Sequence, residues 1–185
     1  MNIYGKKVML RAVEKDDNAF LVEMLNDPEL ENLIVGWYLP QSCYAQYRWY
    51  EEEHLDDKNL RFIIETPEEG LIGMTNLLNI DWKNRNAFQG LKIANVSNRH
   101  KGYGTDCVMA LMRYAFDELQ LHRLNTNWLD NNIASMNMYR KLGWRKEGVQ
   151  KQFIFKRGEF RDLIIGGILE SEYREIVKRT HYWDA

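Results

Sequence analysis

The spacing of apolar residues changes several times along the chain, and each change marks an element. Val8 to Val13 reads as a short strand, and Asp16 to Leu25 then carries Phe20, Leu21, Met24 and Leu25 at helical spacing. Pro28 and Pro40 bracket a segment rich in turn residues and aromatics. Tyr44 to Asp57 reads as a second helix, acidic at its end through Glu51, Glu52, Glu53, Asp56 and Asp57. Leu60, Phe62 and Ile64 alternate as a strand does, with further strands at Leu71 to Ile80 and Phe88 to Val96. A long helix begins near Gly104, where Val108, Leu111, Met112, Ala115, Phe116 and Leu119 form one apolar stripe. A strand at Leu124 to Leu129 precedes a helix from about Asn132 to Leu142, which Gly143 stops. Two strands joined by Lys156-Arg157-Gly158-Glu159, and a helix from Glu170 to Arg179, complete the pattern. Strands that run together first and then alternate with helices predict an α/β fold, a mixed sheet with helices on both faces.

Composition narrows the class. The 185 residues suit one α/β domain, 1–185, and 45% hydrophobic residues suffice for a core. A net charge of -2 without a basic stripe gives no reason to expect nucleic acid as a partner. Cys43 and Cys107 lack metal-ligand spacing, so two reduced thiols and no metal are expected. No apolar run has the length of a signal peptide or a membrane span, so the expected location is the cytoplasm, with no membrane partner.

The chemistry gathers at Asn98-Arg99-His100-Lys101-Gly102-Tyr103-Gly104-Thr105, between a strand and the stripe helix. Two glycines one residue apart let the backbone fold closely and aim consecutive N–H groups into one concavity at a helix N-terminus. That is an anion site, reinforced by the helix dipole and here by Arg99 and Lys101. A dinucleotide fingerprint would need glycine or alanine where Cys107 stands, and the nucleoside-triphosphate loop is absent. The pattern that remains is Arg-x-x-Gly-x-Gly. About thirty residues on, Asn132, Ser135 and Tyr139 stand at i, i+3 and i+7 of a helix and share one face. An amide, a hydroxyl and a phenol in a row suit a long polar cofactor arm. The same residues also read as a helix-capping Asn132 and a half-buried Tyr139.

Arg99 to Thr105, followed by Asn132-x-x-Ser135-x-x-x-Tyr139-x-Lys141-x-Gly143-Trp144, resembles the two cofactor motifs of the GNAT acetyltransferase superfamily. Ile80 to Arg85, Leu121 to Leu124 and Arg157 to Asp162 resemble the branch of spermidine acetyltransferases and ribosomal-protein N-terminal acetylases. The resemblance implies a mostly antiparallel sheet of about seven strands and acetyl-CoA as co-substrate. It implies that the strand at Ile93 and Ala94 splays from its neighbour and binds the pantetheine arm. The amides of Arg99, His100, Lys101, Gly102, Tyr103, Gly104 and Thr105 would hold the diphosphate, and Asn132 and Ser135 would line the arm. Tyr139 would be the general acid near the sulfur, since a phenol with a pKa of about 10 stays protonated at neutral pH.

One position departs from the family pattern. Relatives often carry a glutamate, a candidate base, where this chain has Phe88, and Asp81 could substitute for it or, more in keeping with its place, could be a turn residue. Direct attack in a ternary complex is expected, because neither cysteine has the context of an activated nucleophile. The acceptor side holds Trp37, Tyr38, Trp49 and Tyr50, an aromatic wall for a cation or a sugar-like ring or simply helix packing. The acidic helix end could draw in a polyamine or could be a solvated face. A small amine such as a polyamine, amino sugar or aminoglycoside is the first expectation. A protein N-terminus and a non-catalytic acyl-CoA-binding module are the alternatives, and an exposed edge strand allows a homodimer.

Overall fold

The computed structural model describes residues 1–36, 39–53 and 56–184. Among them, eight strands run in chain order: β1 (Ile3–Tyr4), β2 (Met9–Ala12), β3 (Leu60–Thr66), β4 (Gly70–Asp81), β5 (Asn86–Ile93), β6 (Arg123–Leu129), β7 (Arg145–Lys156) and β8 (Glu159–Leu169). The helices are α1 (Asn18–Leu25), α2 (Pro28–Glu31), α3 (Cys43–Glu53), α4 (Tyr103–Arg113), α5 (Ile133–Lys141) and α6 (Glu170–Thr180). The strands form one sheet in the order β1-β2-β3-β4-β5-β6-β8-β7. Neighbours are antiparallel except for β5 and β6, which are parallel.

Adjacent residues of β3 show how the layers form. Ile63 and Ile64 are both fully buried, yet they belong to different clusters. Ile63 packs with Leu21, Met24, Leu30 and Met74, under α1 and α2. Ile64 packs in the larger cluster that holds the α4 residues Val108 and Leu111 and Tyr173 of α6. Helices therefore cover both faces, as the alternation along the strands requires. Each fully buried leucine or isoleucine contributes about 1.5–3 kcal/mol relative to exposure.

α4 is wrapped more completely than a stripe predicts. Every residue from Asp106 to Met112 is buried, so the helix is enclosed by the sheet and its neighbours. After Arg113 it loosens into a π turn at Tyr114–Glu118. The second helix is shorter than Tyr44 to Asp57, because α3 is described only to Glu53 and Asp56 serves a turn, accepting from Lys58 N–H at 2.8 Å. The strand expected to reach Val96 stops at Ile93, and Val96–Asn98 form a 3₁₀ turn.

The sheet divides at its parallel pair. β5 and β6 pair only at Asn86, Ala87 and Phe88 with Arg123, Leu124 and Asn125. Beyond that, β5 stays with β4 through Ile93, while β6 stays with β8 through Leu129. The result is an opening whose apex is at Gln89, inside an otherwise continuous sheet.

Candidate active site

The glycine turn before α4 takes the form that its residues allow. Gly102 sits at φ 87°, in the left-handed region that a Cβ penalises. Gly104 serves a different need: a Cβ there would lie 3.1 Å from Met138 Sδ and 3.5 Å from Leu91 Cδ2, so its absence lets α4 approach α5 and β5. The first α4 hydrogen bond runs from Asp106 N–H to Gly102 O at 3.0 Å. The amides from Gly102 to Thr105 therefore have no acceptor within the helix, which is the arrangement that receives an anion. The side chains behave differently from the backbone. Lys101 Nζ is drawn to Glu69 Oε1 at 2.5 Å, so its charge is largely offset. Tyr103 is buried in the main core, and His100 is exposed.

The expected arm-binding strand divides by edge. Ala94 N–H bonds to Ile72 O at 2.9 Å, so its amide faces β4 and not the opening. Successive residues turn their main-chain groups to opposite edges. Ile93 and Leu91, paired across from Gly73 and Thr75, therefore present N–H and C=O to the opening. Both polar atoms of the Asn132 side chain are bonded within the fold. Its Oδ1 accepts from Ser135 N–H at 3.2 Å, capping α5, and its Nδ2 donates to Leu33 O at 2.9 Å. Ser135 is half-buried on the first turn of α5.

Tyr139 is buried rather than half-buried, with 2% of its surface exposed. The rings of Trp128 and Trp144 meet its ring edge-on, at centroid distances of 5.4 and 5.1 Å. Its hydroxyl donates to Gln89 Oε1 at 2.5 Å, at the apex of the opening. Burial raises the phenol pKa above the ordinary tyrosine value; the hydrogen bond to Gln89 opposes the rise, nearby Cys107 adds to it, and a bond to Thr126 opposes it. The phenol is therefore neutral at any working pH.

The remaining candidates fall into place around this apex. Phe88, next to Gln89, faces the other side of the sheet, so a carboxylate there would have pointed away from Tyr139. Asp81 is a turn residue, accepting from Asn84 N–H at 2.8 Å and from Asn84 Nδ2 at 2.7 Å. A groove of about 430 Å³ is lined by Trp49, Tyr50, Glu14 and Asp56, with Arg61 among its other residues. Trp37 and Tyr38 lie outside the described residues. Segment 28–36 is fastened from the far hairpin: Lys156 Nζ donates to Glu31 O at 2.9 Å and Gly36 O at 2.6 Å and pairs with the Glu31 carboxylate.

A splayed parallel pair, a glycine turn at the following helix and a phenol at the apex meet in one place. The acetyltransferase (GNAT) domain family matches residues 7–145. The chain belongs to the GNAT acetyltransferase family. It is an acetyl-CoA-dependent N-acetyltransferase. The chain is 28% identical over 169 residues to the prophage-derived N-acetyltransferase YokL of Bacillus subtilis, covering 91% of this chain and 93% of that one. It is 25% identical over 171 residues to the spermidine N(1)-acetyltransferase of Vibrio cholerae, covering 91% and 96%. The crystal structure of the V. cholerae spermidine N-acetyltransferase with CoA and spermine superposes with a TM-score of 0.84 at 24% identity, covering 91% of this chain and 98% of that chain.

Three polar residues of this GNAT site escape a motif reading. Gln89 binds Tyr139, Thr75 approaches Gln89, and Asp106 holds the main chain of Lys6, Lys7 and Val8 to the start of α4. The trace that Gln89 leaves in the sequence is its place on the inward face of β5, between Ala87 and Leu91, where the other side chains are apolar. Cys107 beside them is no nucleophile. Burial pushes its thiol up to about 12; a Thr75 hydrogen bond opposes this and Asp106 adds to it. Native protein treated with a maleimide at neutral pH is expected to take one label, on exposed Cys43, and two after denaturation. Intact-mass measurement checks this, and rapid native labelling of Cys107 would contradict its enclosure.

Proposed function

We propose that this enzyme acetylates a polyamine-type amine by direct attack in a ternary complex, with Tyr139 as the general acid. The observation that carries the reading is the neutral, buried phenol at the apex where β5 and β6 part. The amides from Arg99 to Thr105 hold the coenzyme diphosphate, and the main-chain groups of Leu91 and Ile93 hold its pantetheine arm. Ser135 borders that arm, and Asn132 shapes its wall from the α5 cap. The amine nitrogen attacks the thioester carbonyl, and N–H groups on the free edge of β5 receive the oxyanion. As the C–S bond breaks, Tyr139 gives its proton to the sulfur. The proton released by the nitrogen leaves through water, since position 88 offers no carboxylate.

The acceptor class is supported by the aromatic and acidic groove. Leu60, Leu77 and Gln89 lie in one cross-strand row, so the groove stands two strand spacings, roughly 10 Å, from the apex. An elongated cation with one amine at the apex can reach the carboxylates of Glu14 and Asp56 with another, beside Tyr50 and the Trp49 ring that Arg61 covers at 5.3 Å. Relatives that act on spermidine, at about a quarter identity, agree with this. The test is thiol release from acetyl-CoA with polyamines, amino sugars and short peptides. Turnover highest with polyamines is expected. Turnover confined to peptides or sugars would overturn the acceptor, and no release with any amine would overturn catalysis.

A further inference from the structure

Gln89 is fully buried, and its two polar atoms have unlike neighbours. Nε2 donates to Gly90 O at 3.1 Å and lies 3.4 Å from Thr75 Oγ1, whose hydroxyl itself donates to Gly90 O at 2.8 Å. Oε1 accepts from Tyr139 at 2.5 Å. Turning the amide over would set Oε1 against the carbonyl of Gly90, two acceptors face to face. The orientation is thus fixed by the strand, and Tyr139 always meets an acceptor. With its ring held between Trp128 and Trp144, the phenol keeps one easy motion, rotation of the O–H bond.

We propose that Gln89 is a positioning residue for the acid step, holding the Tyr139 proton at the apex until a developing thiolate outcompetes a neutral amide oxygen for it. The inference rests on the reading of Tyr139 as general acid. A charged acceptor forms a hydrogen bond about twice as strong as a neutral one, so the exchange runs toward the sulfur only as the C–S bond opens. The proton passes from the Tyr139 oxygen to that sulfur, and water, which carries off the proton released by the attacking nitrogen, returns one to the phenolate. Before the attack, the same bond keeps the O–H from wandering into other acceptors.

Gln89→Leu removes the acceptor at nearly constant volume. It is expected to lower kcat about 10–100-fold, the scale of a slightly misplaced group, with KM for acetyl-CoA and for the amine unchanged. In protein labelled with ¹³Cζ-tyrosine, the Tyr139 signal should move in Gln89→Leu. The double variant with Tyr139→Phe should be no slower than Tyr139→Phe alone, because the two side chains act as one unit. Full kcat in Tyr139→Phe would sink the general-acid reading itself. An impaired Tyr139→Phe beside an unimpaired Gln89→Leu, or an additive double variant, would sink the Gln89 inference alone. If Gln89→Leu does not fold, Gln89→Met, of similar length and without an amide, takes its place in the same comparison.

Discussion

Tyr139→Phe is expected to lower kcat by about 10²–10⁴-fold, the usual contribution of a proton donor in the transition state. KM should hardly move, since the variant keeps the ring and its contacts with Trp128 and Trp144. Stability should fall by only about 1–3 kcal/mol, the cost of leaving Gln89 Oε1 without its donor. Steady-state kinetics beside a urea melt separate the two effects. The pH profile gives a second check. Burial raises the phenol above its ordinary value of 10.0, and a general acid is competent below its pKa. Wild-type kcat should therefore show no alkaline fall from phenol ionisation up to about pH 10. A kcat for Tyr139→Phe within a factor of two of wild type would remove Tyr139 from the chemistry.

Asp106→Ala should have the largest effect on stability. This carboxylate is 2% exposed, in the first turn of α4, and gathers the main chain around itself. It accepts from the N–H groups of Lys6 at 2.9 Å, Lys7 at 2.6 Å and Val8 at 3.0 Å, and from Tyr182 Oη at 2.7 Å. Gly5 approaches so closely that a Cβ there would stand 2.2 Å from Asp106 Oδ2. Removing the carboxylate orphans several donors at once, each costing about 1–3 kcal/mol where water cannot enter. A total loss of about 3–5 kcal/mol is expected, allowing for the part-exposed Lys6 and Lys7, which is a large share of a typical folding free energy. Urea unfolding measures it, and Asp106→Asn, with one acceptor oxygen left, should fall between. An unchanged midpoint would mean that the knot carries no load.

What could be read from the chain beforehand follows from the range of the forces involved. The α4 stripe, the strand alternation and the paired glycines are local patterns, and each became the expected element. β1 has two residues and α2 has four, too short for any period, and both arise from pairing or a cap, Asp27 Oδ1 accepting from Glu29 N–H at 2.8 Å. Asn132 reads in the sequence as both a cap and a ligand; its Oδ1 makes the cap, and its Nδ2 donates to the carbonyl of Leu33, ninety-nine residues away. Gln89 and Asp106 take their meaning from Tyr139 and from Lys6 to Val8, fifty and about a hundred residues away. No spacing rule reaches that far. Phe88 departs from the family pattern in the sequence, whereas its facing away from the phenol follows from the pleat of β5.

β5 and β6 are stitched together by just three residue pairs before they part. An arm laid into that gap would act as a guest strand, zipping the two halves of the protein into one stiffer body. The substrate would then be a structural member as well as a reagent, and the empty protein would breathe along this seam between turnovers.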